Sequence, residues 1–167
     1  MRIKKIYRLL LLCFLGLLFS LSVACTPTGY RTYDNEEFGY SVSYPMNWKS
    51  EVSADGTIYL LESPTRRGSV MIDVRDAMSL RSAVIYWLMS VSQGTINKEV
   101  AKLEDKPMKG AWDWYLSYDY ETDFGIFHGE AYFKLTDTHL YRLDTLARVG
   151  EYKDYPFSTI ISLFKLR

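Results

Sequence analysis

His128 and Glu130 stand two apart, as residues sharing one face of a strand do, and His139 follows across a turn. Such a group would suit metal binding or proton transfer. No spacing among the three matches a metal-ligand motif, so the expectation is a hydrogen-bonded polar patch on the less buried face of a sheet. Asp119, Glu121 and Asp123 alternate in the same way toward a strand end. Carboxylates gathered there would offer hard oxygen ligands, but calcium takes six or more oxygens, so the trio reads first as a charged hairpin end and only as a weak calcium candidate. Tyr115 and Tyr132 fall on the period opposite to most aromatics and are the tyrosines to watch for a surface site. "GYSVS" at 39–43 begins like a nucleophile elbow but lacks its second glycine. The chain has no phosphate loop, zinc-protease helix or dinucleotide fingerprint. Neither catalytic residues nor a cofactor are expected.

Cys25 remains. The chain has two cysteines, and Cys13 lies within residues 9–24, an uncharged run preceded by Arg2, Lys4, Lys5 and Arg8. A basic start, a short apolar core and a small-residue end are the layout of a secretory signal peptide. Sixteen residues rise about 24 Å as a helix, short of a bilayer span, so cleavage is favoured over permanent insertion. "SVAC" at 22–25 resembles the bacterial lipoprotein processing site, where the cysteine is acylated and becomes the new N-terminus; Ser22 stands where leucine is more typical. The bland alternative is ordinary cleavage near Ala24 with an incidental cysteine. A solitary thiol cannot make an internal disulfide or a four-cysteine metal site. Cys25 is therefore read as a lipid anchor, placing the protein in the cell envelope on the outward face of a bacterial membrane.

Residues 1–24 then form the signal peptide, 25–32 a short tether, and 33–167 one domain of ordinary size. Without the four leader cations, 16 Lys and Arg stand against 20 Asp and Glu over residues 25–167, a net charge of −4. Nucleic acid is disfavoured and not expected as a partner, because phosphate neutralisation needs clustered cations, and here they alternate with acids.

Period-two patterning dominates from Tyr33 onward. "YSVSY" at 40–44 sets two tyrosines and a valine against two serines, and Pro45 ends it. "TIYLLE" and "SVMIDV" predict two strands joined through turn residues at 64–68. "WDWYLSYDY", "FGIFHGEAYFKL" and "THLYRLDTLA" predict three long strands in an antiparallel meander, with Trp112, Trp114, Leu116 and Tyr118 on the inward face of the first. In 79–94, Leu80, Ala83, Val84, Trp87, Leu88 and Val91 recur at helical steps, with Ser79 as N-cap and Gly94 as stop. A short helix is predicted after Pro156, striped by Phe157, Ile160, Ile161 and Phe164. Residues 95–109 lean toward a strand. The four tryptophans, Trp48 included, belong to the core rather than to a carbohydrate platform. The fold class is α+β, an antiparallel sheet flanked by helices.

"FGYSVSYPMNW" at 38–48 resembles the opening hairpin of the PsbP-like domain family, and "PFSTIISLFKL" at 156–166 is similar to its closing helix and end segment. The resemblance covers about residues 33–167 and implies an α/β/α sandwich. It also implies a non-enzymatic accessory protein, as plant relatives dock on photosystem II at the lumenal membrane face. No binding motif of those relatives carries over to a residue here. The expected function is a lipoprotein whose domain binds another envelope component, with an envelope protein as partner. The alternative is a receptor for a small ligand or metal using the polar sheet face around His128, Glu130 and Tyr132. A pocket joining those residues to Arg142 or Asp144 would favour that alternative.

Overall fold

The computed structural model describes residues 28–92, 112–122 and 124–167. The leader, Cys25, Gly94, the 95–109 stretch and Asp123 lie outside them.

Strands β1 (Tyr30–Asn35), β2 (Tyr40–Pro45) and β9 (Lys165–Leu166) form a small sheet in the order β1-β2-β9. Strands β3 (Lys49–Val52), β4 (Ile58–Leu61), β5 (Ser69–Asp76), β6 (Trp114–Thr122), β7 (Gly125–Leu135) and β8 (His139–Arg148) form a larger one in the order β3-β4-β5-β8-β7-β6. Every pairing is antiparallel, and β6-β7-β8 is the expected meander. Helix α1 (Leu80–Ser92) lies between β5 and β6, and a 3-10 turn (Tyr152–Asp154) leads into α2 (Phe157–Ser162).

Side chains alternate across the large sheet, so its strands β5, β8, β7 and β6 present two faces, each of which meets a core. One face sends Ile58, Leu60, Val70, Ile72 and Leu143 against Tyr40, Val42 and Tyr44 of β2 and against Phe157 and Ile160 of α2. The other sends Leu116, Tyr118, Ala131, Phe133 and Leu140 against Ala83, Val84 and Trp87 of α1. Helices thus cover both faces, and the α+β class read from the periodicity is the one adopted. Ser79 caps α1, its hydroxyl accepting from the Ser82 amide at 3.1 Å.

Several local expectations are corrected. β1 opens at Tyr30, inside the stretch read as tether. Its alternation is mostly polar, and its strand state comes from pairing with β2, including a 2.9 Å hydroxyl contact between Thr32 and Ser43. β3 was invisible to burial patterning because all four of its residues are exposed. Leu88 points outward from α1 rather than into the core. Trp112 leaves the face shared by Leu116 and Tyr118 for the opposite core, against Tyr132 and Phe164, because the chain bends at Asp113 before β6 begins. Trp48 and Trp87 are buried as expected, and Trp114 is partly buried against the α1 core.

Candidate functional site

Cross-strand register builds the site. Tyr115 faces Tyr132, Ser117 faces Glu130, and Asp119 faces His128, making three successive rungs of the β6-β7 ladder on the α2 side of the sheet. Glu130 is the middle of the network. Its Oε1 accepts from the Tyr115 hydroxyl at 2.9 Å and its Oε2 from the Tyr132 hydroxyl at 2.6 Å. His128 places Nδ1 2.7 Å from Asp119 Oδ1 and Nε2 3.9 Å from Glu130 Oε1. Tyr152, from the 3-10 turn, sets its ring edge-on to His128 at 4.5 Å, and its hydroxyl lies 2.5 Å from Thr145 Oγ1. Burial pushes the Tyr132 and Tyr152 phenols far above their usual range, and the Glu130 carboxylate adds to both shifts. Both phenols therefore stay protonated, and Tyr132 donates to Glu130.

Above these rungs lies an open cleft of about 490 Å³, lined by Ser117, Asp119, His128, Glu130, Tyr152 and Lys153 among others. Register and hydrogen bonds bring His128, Glu130, Tyr132 and Tyr115 together, although Tyr115 and Tyr132 do not line the cleft. Tyr132 is buried, not a surface tyrosine, because the sheet face carrying the site is the one that packs against β2 and α2. The polar patch is the end of a core face rather than a solvated side of the sheet. His139 takes no part, since it stands eight residues along β8 from the Ala147 partner of His128, about 27 Å away. Asp119 is held by His128, Glu121 is exposed one rung beyond, and Asp123 lies outside the described residues. Among the described residues, no group of three His, Cys, Asp or Glu side chains is placed to hold a metal ion.

Arg142 and Asp144 belong to a different site. They point to the α1 side, where Arg142 Nε lies 3.0 Å from Asp144 Oδ2, Arg142 Nη2 3.5 Å from Asp73 Oδ2, and Arg75 Nε 2.9 Å from Asp73 Oδ1. Trp87 hydrogen-bonds the Asp144 carboxylate from above. A second cleft, of about 300 Å³, opens between Arg142, Asp144, Trp87, Tyr118 and Tyr59. The sequence signal for this polar layer is an Asp-x-Arg in β5 and an Arg-x-Asp in β8; the register sets Asp73 directly opposite Arg142, and Arg75 and Asp144 flank that pair along their own strands.

Burial raises the Asp144 carboxyl to about 6 against the opposing pull of Arg142. The folded state then binds the Asp144 proton more tightly than the unfolded chain does. This contribution is most favourable below the unfolded value and is lost as pH rises through about 6. The loss across that range is on the order of 3 kcal/mol. Asp144→Asn is expected to flatten that part of the stability profile, read as urea midpoints between pH 4 and 7. Parallel profiles for wild type and variant would contradict it.

No family model and no curated protein matches the chain. Solved structures do. Over 86% of this chain and 97% of the other, it superposes on the solution structure of cyanobacterial PsbP from Synechocystis sp. PCC 6803, with a TM-score of 0.57 and 17% identity. A Bacteroides thetaiotaomicron crystal structure matches 84% of this chain with a TM-score of 0.60 and 14% identity, and the chain spans about half (49%) of that protein. LpqN of Mycobacterium tuberculosis, described as involved in cell envelope biogenesis, matches 80% of this chain and 87% of its own with a TM-score of 0.50 and 10% identity. At these identities the likeness is one of fold, and the fold is PsbP-like. Among the described residues, no helix is long and apolar enough to cross a membrane.

Proposed function

We propose that the chain is an extracytoplasmic lipoprotein, anchored through Cys25, whose PsbP-like domain recognises another envelope component without catalysing a reaction. The observation that carries the reading is the cleft over β6-β7. Asp119 is tied to His128 and Glu130 to Tyr115 and Tyr132, so the floor of the site offers a rigid pattern of donors and acceptors, with exposed Lys153 at its rim. The His128 ring nitrogens face two carboxylates rather than a nucleophile. The envelope role described for LpqN agrees with this placement.

A small-ligand receptor is the second reading, favoured by a cleft volume within the range of ordinary ligand pockets. The two readings separate on native gels of the detergent-extracted lipoprotein. Binding to an envelope protein should give a species larger than the monomer, and His128→Ala or Lys153→Glu should return it to the monomer. A wild-type protein that runs only as a monomer would contradict the proposal and turn attention to small ligands.

A further inference from the structure

The chain emerges from the domain at an end that also carries exposed apolar side chains. Thr28 is the first described residue, three positions after Cys25, so an extended link spans at most about 11 Å. Tyr30 opens β1 opposite Pro45 of β2, and the Met46 amide donates to Gly29 O at 2.9 Å. Only Met46, Asn47 and Trp48 separate β2 from Lys49, the first residue of β3. Lys49 pairs with Leu61, Leu61 with Ser69, Ser69 with Leu146 and Leu146 with Gly129, so one row across the large sheet marks the end from which the tether leaves.

The β6-β7 hairpin runs on past that row. From Gly129 it continues four residues to Gly125, about 13 Å further out. Its tip carries Phe124, 80% exposed, and Ile126, 53% exposed; Val149, 49% exposed, donates its amide to Ile126 O at 3.2 Å. Met46, 64% exposed, sits beside the tether on the same end. Scattered exposed apolar residues are ordinary, and Val52, Ile85, Tyr86 and Leu88 are exposed elsewhere, but these four share the end from which the tether leaves. Arg148, which holds Phe124 O at 3.1 Å, and exposed Lys153 stand behind the tip with long side chains suited to lipid headgroups.

We infer that this end is a membrane-contact surface: the Phe124-Ile126-Val149 tip, with Met46 at the tether side, enters the headgroup region of the bilayer that holds the anchor. The inference rests on the Cys25 anchor. A link of three residues holds the tether side against the bilayer, and the overhanging hairpin is the part of the domain that reaches it next. The domain would then have two contacts with the bilayer, one covalent and one apolar, which fixes its tilt. The His128 cleft, bordered by Val149 and Lys153, would open close to the headgroups.

The test uses the full lipoprotein. Cys13 and Cys25 are its only cysteines, so after processing and acylation Phe124→Cys supplies one free thiol. An environment-sensitive fluorophore is placed there or, in a control, at Asp137→Cys in the β7-β8 turn at the opposite end. The proteins are reconstituted into phosphatidylcholine and phosphatidylglycerol vesicles carrying nitroxide on the acyl chains. The expected result is strong quenching at 124 and none at 137. Intact mass of the same samples reports whether Cys25 is acylated. Acylated protein with neither label quenched, or with 137 quenched as strongly as 124, would overturn the inference and leave the anchor standing. Absence of acyl mass would remove the anchor, and the inference with it.

Discussion

Cys25→Ser is expected to release the protein from the membrane fraction. Each buried methylene of an acyl chain contributes about 0.8 kcal/mol, so one chain gives marginal attachment and two give a stable one. Serine offers no sulfur for the thioether, and the apolar tip alone is too small to replace acyl chains. The membrane-bound fraction should therefore fall roughly tenfold or more. Fractionation together with intact mass reads this directly. Wild-type protein should carry acyl mass on a chain beginning at Cys25, and the variant should carry none. A variant that stays acylated, or a wild-type chain that begins elsewhere without lipid, would contradict the anchor.

Trp87→Ala should be among the most destabilising single changes in the domain. Trp87 is 1% exposed, lies edge-on to Tyr118 with ring centroids 4.8 Å apart, and hydrogen-bonds Asp144. Truncating a buried tryptophan typically costs about 3–5 kcal/mol in lost transfer free energy and cavity formation. Such a loss is a large share of the stability of a domain this size. Asp144 would also lose a donor while remaining buried beside Arg142. Trp87→Phe keeps an aromatic ring but removes the N–H, and should cost less, about 1–3 kcal/mol. Urea unfolding of the two variants separates packing from hydrogen bonding. Equal, small losses would mean that α1 contributes little to the core.

The elements legible in the sequence were those with a half-buried pattern. "YSVSY" became β2, the three long alternating runs became β6, β7 and β8, and the Ala83-Val84-Trp87 stripe became the buried face of α1. β1 and β3 were not legible because neither has a regular apolar face; pairing with β2 and β4 makes them strands. For the site, two-residue spacing correctly put His128, Glu130 and Tyr132 on one face. It could not say which face, because both faces of the large sheet are covered and alternation does not distinguish two buried sides. Tyr132 was therefore expected at the surface and is buried. The partnership of Asp119 with His128 also depends on register, which the hairpin fixes over a longer range than local spacing reveals.

The central claim is that an anchored PsbP-like domain binds another envelope component through the cleft around His128. The most direct measurement is in-cell crosslinking from a photoreactive residue at position 153, on the rim of that cleft, followed by mass spectrometry, with the Cys25→Ser strain as control. One reproducible envelope partner, captured by the anchored protein and lost in the control, is the expected result. Capture of no enriched partner, or of the same proteins in both strains, would contradict the claim.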